Sequence, residues 1–225
     1  MSGAIDGVNY SDGIYSNLST ETVSATGYVQ KLYAVKHNPF AYFANIQQST
    51  NTRNGYTNMA DFIGLNGLYA DLRSAQVANF SFIVPNQCHD MHSIRNGSQL
   101  CNNDNTKIQM GDAAVKKIIG SIKGSQAWKQ GKNAIVVLWD ENDFSNSPNR
   151  VVTIIDTNYG VRGVRSSQSY SHFSLLKTLE AGFRLPCLNH ACDGKVKLMD
   201  DLFSSVEARH SGKRAIVSNI PAANI

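Results

Sequence analysis

The sequence predicts an α/β domain with a mixed, largely parallel sheet flanked by helices. Three observations carry that expectation. Ala134–Trp139 is an unbroken apolar run, apolar on both faces as a strand inside a parallel sheet requires. Val151–Ile155 repeats the pattern after a polar turn. Helical spacing flanks both runs, with Val115, Ile118, Ile119 and Ile122 before them and Phe173, Leu176, Leu179 and Phe183 after them. Strands alternating with helices read as one α/β domain over residues 1–225, with an irregular segment at 1–32 and a polar tail at 207–225.

The elements follow in order. Asn38 precedes Pro39, which pushes it out of helical geometry and ends the local structure there. Residues 58–72 place Phe62, Leu65, Leu68, Tyr69 and Leu72 at helical spacing, weakened by Gly64 and Gly67. Phe80–Val84 reads as a buried strand stopped by Pro85-Asn86. Residues 93–111 are polar and read as a long loop, after which Asp112 caps a helix. Ser171 caps the next helix, which ends near Gly182, and a short helix at 198–206 closes the sequence.

Composition narrows the function. With 42% hydrophobic and 9% aromatic residues, the chain is not intrinsically disordered. Its longest strongly apolar run, Ala134–Trp139, falls far short of the roughly 20 residues of a transmembrane helix. Basic residues outnumber acidic ones, 21 to 17, but form no stripe, which argues against nucleic acid as a partner. Asn (22) and Ser (23) are abundant and charge is sparse, a leaning toward an extracytoplasmic protein. The four cysteines form two local pairs, Cys88/Cys101 and Cys187/Cys192. Two disulfides in an oxidising compartment fit that spacing, and four buried thiols fit the count equally. The opening residues 1–6 hold no secretory leader, so the chain reads either as cytosolic or as lacking its true N-terminus.

Two loops carry chemistry. Trp139-Asp140-Glu141-Asn142-Asp143 directly follows the first apolar strand, where α/β sheets bind ligands. Adjacent carboxylates repel one another unless a cation or proton compensates, a reason to expect a divalent metal on Asp140 and Glu141; a solvated acidic turn has the same composition. Cys88-His89-Asp90-Met91-His92 follows the other expected strand and suits oxyanion binding, acid/base work or metal ligation. His172 sits at an expected helix N-terminus, which favours anions such as phosphate. His37 lies in the turn before Pro39.

Taken in order, Tyr33–Phe40, Phe80–His92, Trp139–Asp143 and Tyr170–Glu180 resemble the phosphoesterase family of acid phosphatases and phospholipases C, within the alkaline-phosphatase-like superfamily, from Tyr33 to Phe203. The resemblance implies a metal-dependent hydrolase of phosphate esters, monoester or phospholipase C-type, in which a Ser or Thr hydroxyl attacks phosphorus. It further implies that Asp140 and Glu141 ligate the divalent metal, and that His89 contacts phosphate with Asp90 orienting it. His172 then stabilises the phosphate or leaving group, and His37 is a fourth contact. His92 varies in the family.

The family's upstream Glu-Asn metal pair and its nucleophile motif are not found before Lys36. This reading therefore makes the chain the C-terminal portion of the domain, incomplete on its N-terminal side. The substrate is a small phosphate ester or a phospholipid headgroup, and the full-length protein is periplasmic or secreted. The alternative is a truncated, non-catalytic fragment retaining part of a phosphate- or metal-binding surface.

Overall fold

The computed structural model describes residues 22–25, 28–31, 37, 39–44, 68–92, 101, 103–142, 145 and 147–203. Contacts divide the chain into two compact units, residues 1–127 and 128–225.

In the first unit, β1 (Thr22–Ala25) pairs antiparallel with β2 (Tyr28–Lys31). A 3-10 turn at Pro39–Tyr42 follows. Helix α1 (Leu68–Ser74) is the C-terminal part of the helix expected at 58–72; the rest of that expectation lies outside the described residues. Residues 80–84 are not a strand. No ladder pairs them among the described residues, and Phe80 and Phe82 are 45% and 54% exposed. A short apolar run has the composition of a strand, but without a partner's hydrogen bonds it is not one.

Helix α2 (Asp104–Gly124) begins eight residues before the expected cap. Asn103, not Asp112, is the N-cap, its Oδ1 accepting the Thr106 N–H at 2.9 Å. Residues 104–111 are thus helix rather than loop, polar because they lie on a largely exposed surface. Its Lys117 ammonium stands 5.4 Å from the centroid of Tyr69 on α1, a cation–π contact. The Cys88–Cys101 disulfide, fully buried, is, with Met110 packed against it, the buried hydrophobic cluster of this unit among the described residues.

A four-residue helix, α3 (Gln126–Lys129), spans the boundary between the units. Strands β3 (Ala134–Leu138) and β4 (Thr153–Thr157) are the two apolar runs expected, and they pair antiparallel, Val136 opposite Ile155. Both sheets among the described residues are two-stranded and antiparallel. A parallel return needs a crossover of a dozen or more residues, usually helical, and the described residues between β3 and β4 contain no helix. The mixture of helix and strand is as expected. The side chains of β3 are half-buried at its centre and exposed at its ends, a shallower burial than a two-faced central strand has.

Helix α4 (His172–Phe183) starts at Ser171 as expected, with Ser174 Oγ accepting the Ser171 N–H at 3.2 Å in the manner of a capping box. It ends one residue past Gly182, on Arg184 in the left-handed conformation (φ 59°). The apolar positions at helical spacing are not the most buried ones, Leu179 and Phe183 being only half-buried. Phe173 and Leu176 are exposed, whereas Ser174, Thr178, Glu180 and Gly182 are buried. Residues 193–203 cover that polar stripe. Thr178 Oγ1 donates to Ser174 O at 2.7 Å and accepts the Met199 N–H at 2.9 Å, and Lys177 Nζ donates to Val196 O at 2.9 Å. The Cys187–Cys192 disulfide closes a small loop containing a 3-10 turn, and Glu180 Oε1 accepts the Leu188 N–H inside it at 2.9 Å.

The closing helix α5 (Asp200–Phe203) falls within the expected 198–206, of which 204–206 lie outside the described residues. Its Asp201 carboxylate accepts from Tyr170 Oη and Ser166 Oγ, both at 2.6 Å. Burial, and then the Asp201 carboxylate beside it, push the Tyr170 phenol up to about 12 from an ordinary 10.0. A folded pKa above the unfolded one stabilises the fold fully below pH 10 and loses that contribution as pH rises toward 12. Denaturant titrations across that interval are expected to show a stability loss that Tyr170→Phe lacks; identical slopes in both proteins would refute the assignment. Among the described residues no helix is long and apolar enough to cross a membrane.

Candidate functional site

The histidine cluster of the first unit is held by its turn. Asn86 follows Pro85, and its Oδ1 accepts three N–H groups: Cys88 N at 3.2 Å, His89 N at 3.1 Å and His89 Nδ1 at 2.8 Å. The Cys88–Cys101 disulfide ties the same turn to the segment entering α2. Met91 takes a left-handed backbone (φ 72°), a conformation that non-glycine residues rarely adopt. Its side chain lies against Gly111 of α2, in space that a Cβ at that position would occupy. Cap, disulfide and glycine thus jointly fix a strained turn.

Asp90 completes the cluster. Its Oδ1 accepts the His92 N–H at 2.8 Å, and its Oδ2 accepts from His37 Nδ1 at 2.8 Å. The His37 and His92 rings meet edge to face, with centroids 4.7 Å apart. The family resemblance implies that Asp90 orients His89. The geometry instead gives Asn86 that contact and pairs Asp90 with His37, 53 positions away. Because carboxylate and amide oxygens only accept, Nδ1 carries the proton in both His37 and His89. In their neutral forms each imidazole therefore keeps its lone pair on Nε2, the tautomer suited to accept a proton or meet an electrophile. Asn86 is the residue sequence reasoning missed; its signal was an Asn immediately after Pro and two residues before Cys88.

In the second unit, Asp140 and Glu141 lie just past β3, both exposed. Trp139 N donates to Val152 O at 3.3 Å, extending the ladder to their doorstep, and Asn142 N donates to Asn149 Oδ1 at 2.7 Å, bracing the turn beyond. His172, the first residue of α4, donates from Nε2 to the Asp140 carbonyl at 2.7 Å. Its lone pair is therefore on Nδ1, the opposite tautomer to His37 and His89. Two neighbouring carboxylates are hard oxygen donors of the kind a divalent cation takes. They form a partial set: among the described residues no group of three or more His, Cys, Asp or Glu side chains could hold a metal ion. His37, His89, Asp90 and His92 belong to the first unit, and Asp140, Glu141 and His172 to the second.

With the histidine turn and the acidic turn placed, the comparisons decide the family. The Phosphoesterase family profile matches residues 5–186. The chain belongs to the phosphoesterase family. Relatives are distant. A phosphatidylinositol-3-phosphatase of Mycobacterium tuberculosis is 28% identical over 199 residues, covering 80% of this chain and 56% of the relative. A probable acid phosphatase of Kluyveromyces lactis is 24% identical over 187 residues, 82% of this chain and 38% of the relative. A phosphate-repressible acid phosphatase of Penicillium chrysogenum is 24% identical over 160 residues, 69% and 34% respectively. The chain thus spans between about a third and just over half of these relatives' lengths. No solved structure matches. The family match starts upstream of Tyr33 and contains all seven residues of the two clusters.

Proposed function

We propose that the chain serves metal-dependent hydrolysis of phosphate monoesters, in which a Ser or Thr hydroxyl from an upstream nucleophile motif, not found among these residues, attacks phosphorus. Family membership across residues 5–186 is the observation that carries this reading. The relatives' names favour the monoester, since each is called a phosphatase. Asp140 and Glu141 would hold a divalent cation, which supplies charge neutralisation at the phosphoryl oxygens and acidifies a bound hydroxyl. His172, fixed against the Asp140 carbonyl, binds or protonates at Nδ1, at a helix N-terminus suited to anionic oxygen. His37 and His89 each keep a lone pair on Nε2 in the neutral form, and Asp90 holds the His37 ring through Nδ1. An oxidising, periplasmic or extracellular location suits the two disulfides.

The test compares hydrolysis of p-nitrophenyl phosphate, bis-p-nitrophenyl phosphate and a phosphoinositide, with and without chelator and with divalent metals restored. Monoester turnover that chelation abolishes is the expected result for a protein carrying the family's nucleophile motif ahead of these residues, and Asp140→Asn should remove it. Diester-only turnover would favour the phospholipase C type. Metal or phosphate binding by calorimetry without any turnover would establish a binding surface alone and end the catalytic reading.

A further inference from the structure

The family match ends at residue 186, yet the carboxylate that holds the segment entering α4 lies beyond it. Asp201 Oδ1 accepts the Tyr170 O–H and Oδ2 the Ser166 O–H, each at 2.6 Å, across 31 and 35 positions. Hydrogen bonds that short, to a charged acceptor, are at the strong end of the range. Ser166 is itself constrained, since its Oγ accepts the Gln168 N–H at 3.1 Å. Asp201 therefore gathers both ends of the 166–170 segment onto one carboxylate.

Only Ser171, in extended conformation (φ −135°, ψ 175°), separates Tyr170 from His172. We propose that Asp201 is a positioning residue for His172: by anchoring Tyr170 and Ser166 it sets the entry into α4 and holds the His172 imidazole on the Asp140 carbonyl. A 2.7 Å hydrogen bond is lost to displacements of well under an ångström, so entry geometry decides whether it forms. The body of α4 has separate fastenings. Lys177 on the Val196 carbonyl and Thr178 under Met199 N–H do not pass through Asp201. A change at Asp201 thus releases the helix start while the helix stays docked. The catalytic consequence rests on the hydrolase reading above; the geometric one does not.

The experiment uses the full chain and follows the His172 Cε1–H resonance by NMR, assigned by its loss in His172→Gln. Asp201→Asn and Tyr170→Phe are each expected to displace that resonance, and the double variant should displace it by less than the sum of the two, because they share the Tyr170–Asp201 link. Asn133→Ala supplies the control for lost stability. It removes a brace of the turn leading into β3, the Asn133 Nδ2 donation to Gln130 O at 2.7 Å, and should leave the His172 resonance in place. In the monoester assay Asp201→Asn should lower kcat on the order of tenfold or more, with KM little changed. A His172 resonance unmoved by Asp201→Asn, or moved equally by Asn133→Ala, overturns the proposal. If the parent protein hydrolyses no phosphate ester, the hydrolase reading falls, while the resonances still decide the positioning role.

Discussion

Asp90→Asn is expected to lower kcat for phosphate-ester hydrolysis on the order of 10²- to 10⁴-fold while leaving the fold intact, the range spanned by loss of acid/base assistance and of a correct tautomer. The substitution is nearly isosteric, so its effect comes from hydrogen-bond polarity. One Asp90 oxygen accepts the His92 N–H and the other faces His37 Nδ1. In the amide, the remaining oxygen is retained by the His92 N–H, which has no other way to be served by this side chain. The NH₂ group then faces His37. Two donors cannot share that contact, so Nδ1 must become the acceptor and the proton moves to Nε2. His37 then presents a donor where the wild type presents a lone pair, and its cation loses the neighbouring negative charge. Steady-state kinetics with ¹⁵N spectra of the imidazole check both steps. Wild-type kcat in Asp90→Asn would eliminate His37 as a participant, and an unchanged His37 tautomer would refute the polarity argument.

The second large effect is on stability. Replacing Cys88 and Cys101 together by Ala is expected to cost about 3 kcal/mol, the loop-entropy value for a bridge of this span, on the upper side if the vacated core relaxes poorly. The bridge closes 13 positions and both cysteines are fully buried, so the unfolded chain gains freedom and the core loses its central contact. The loss should be local as well as global. The disulfide anchors the turn bearing His89, Asp90 and Met91, so hydrogen exchange over residues 86–92 should accelerate beyond the change elsewhere in the first unit. Denaturant midpoints and exchange mass spectrometry measure the two parts. A double variant as stable as the parent, with residues 86–92 still protected, would show that hydrogen bonds alone hold the turn.

Several elements could be read from the amino-acid sequence because their signals are local. The apolar run at Ala134–Leu138 is a strand because β-branched residues crowd a helix, and Ser171 starts α4 because a hydroxyl serves the free N–H groups there. The family motifs are local too, and both the acidic turn and the His89–His92 segment lie within the matched residues. Other readings failed where the deciding contact was distant. Phe80–Val84 has strand composition, but pairing needs a neighbour, and none of the described strands supplies one. On α4 Phe173 and Leu176 are exposed and the polar Ser174, Thr178 and Glu180 are buried, because residues 193–203 cover the polar side with hydrogen bonds that no periodicity announces.

The sequence by itself determined the residue types of the chemistry, the two loops that carry them and the family to which they belong. Tertiary structure alone decided which group meets which. Asp90 stands beside His89 in the chain, yet its carboxylate reaches His37, while Asn86 takes the His89 ring. Asp201 shares no motif with His172 and is tied to the start of its helix by two short hydrogen bonds. The physical reason is the same in both cases. A hydrogen bond depends on position and direction within a few tenths of an ångström, and adjacency in sequence specifies neither once the chain has turned.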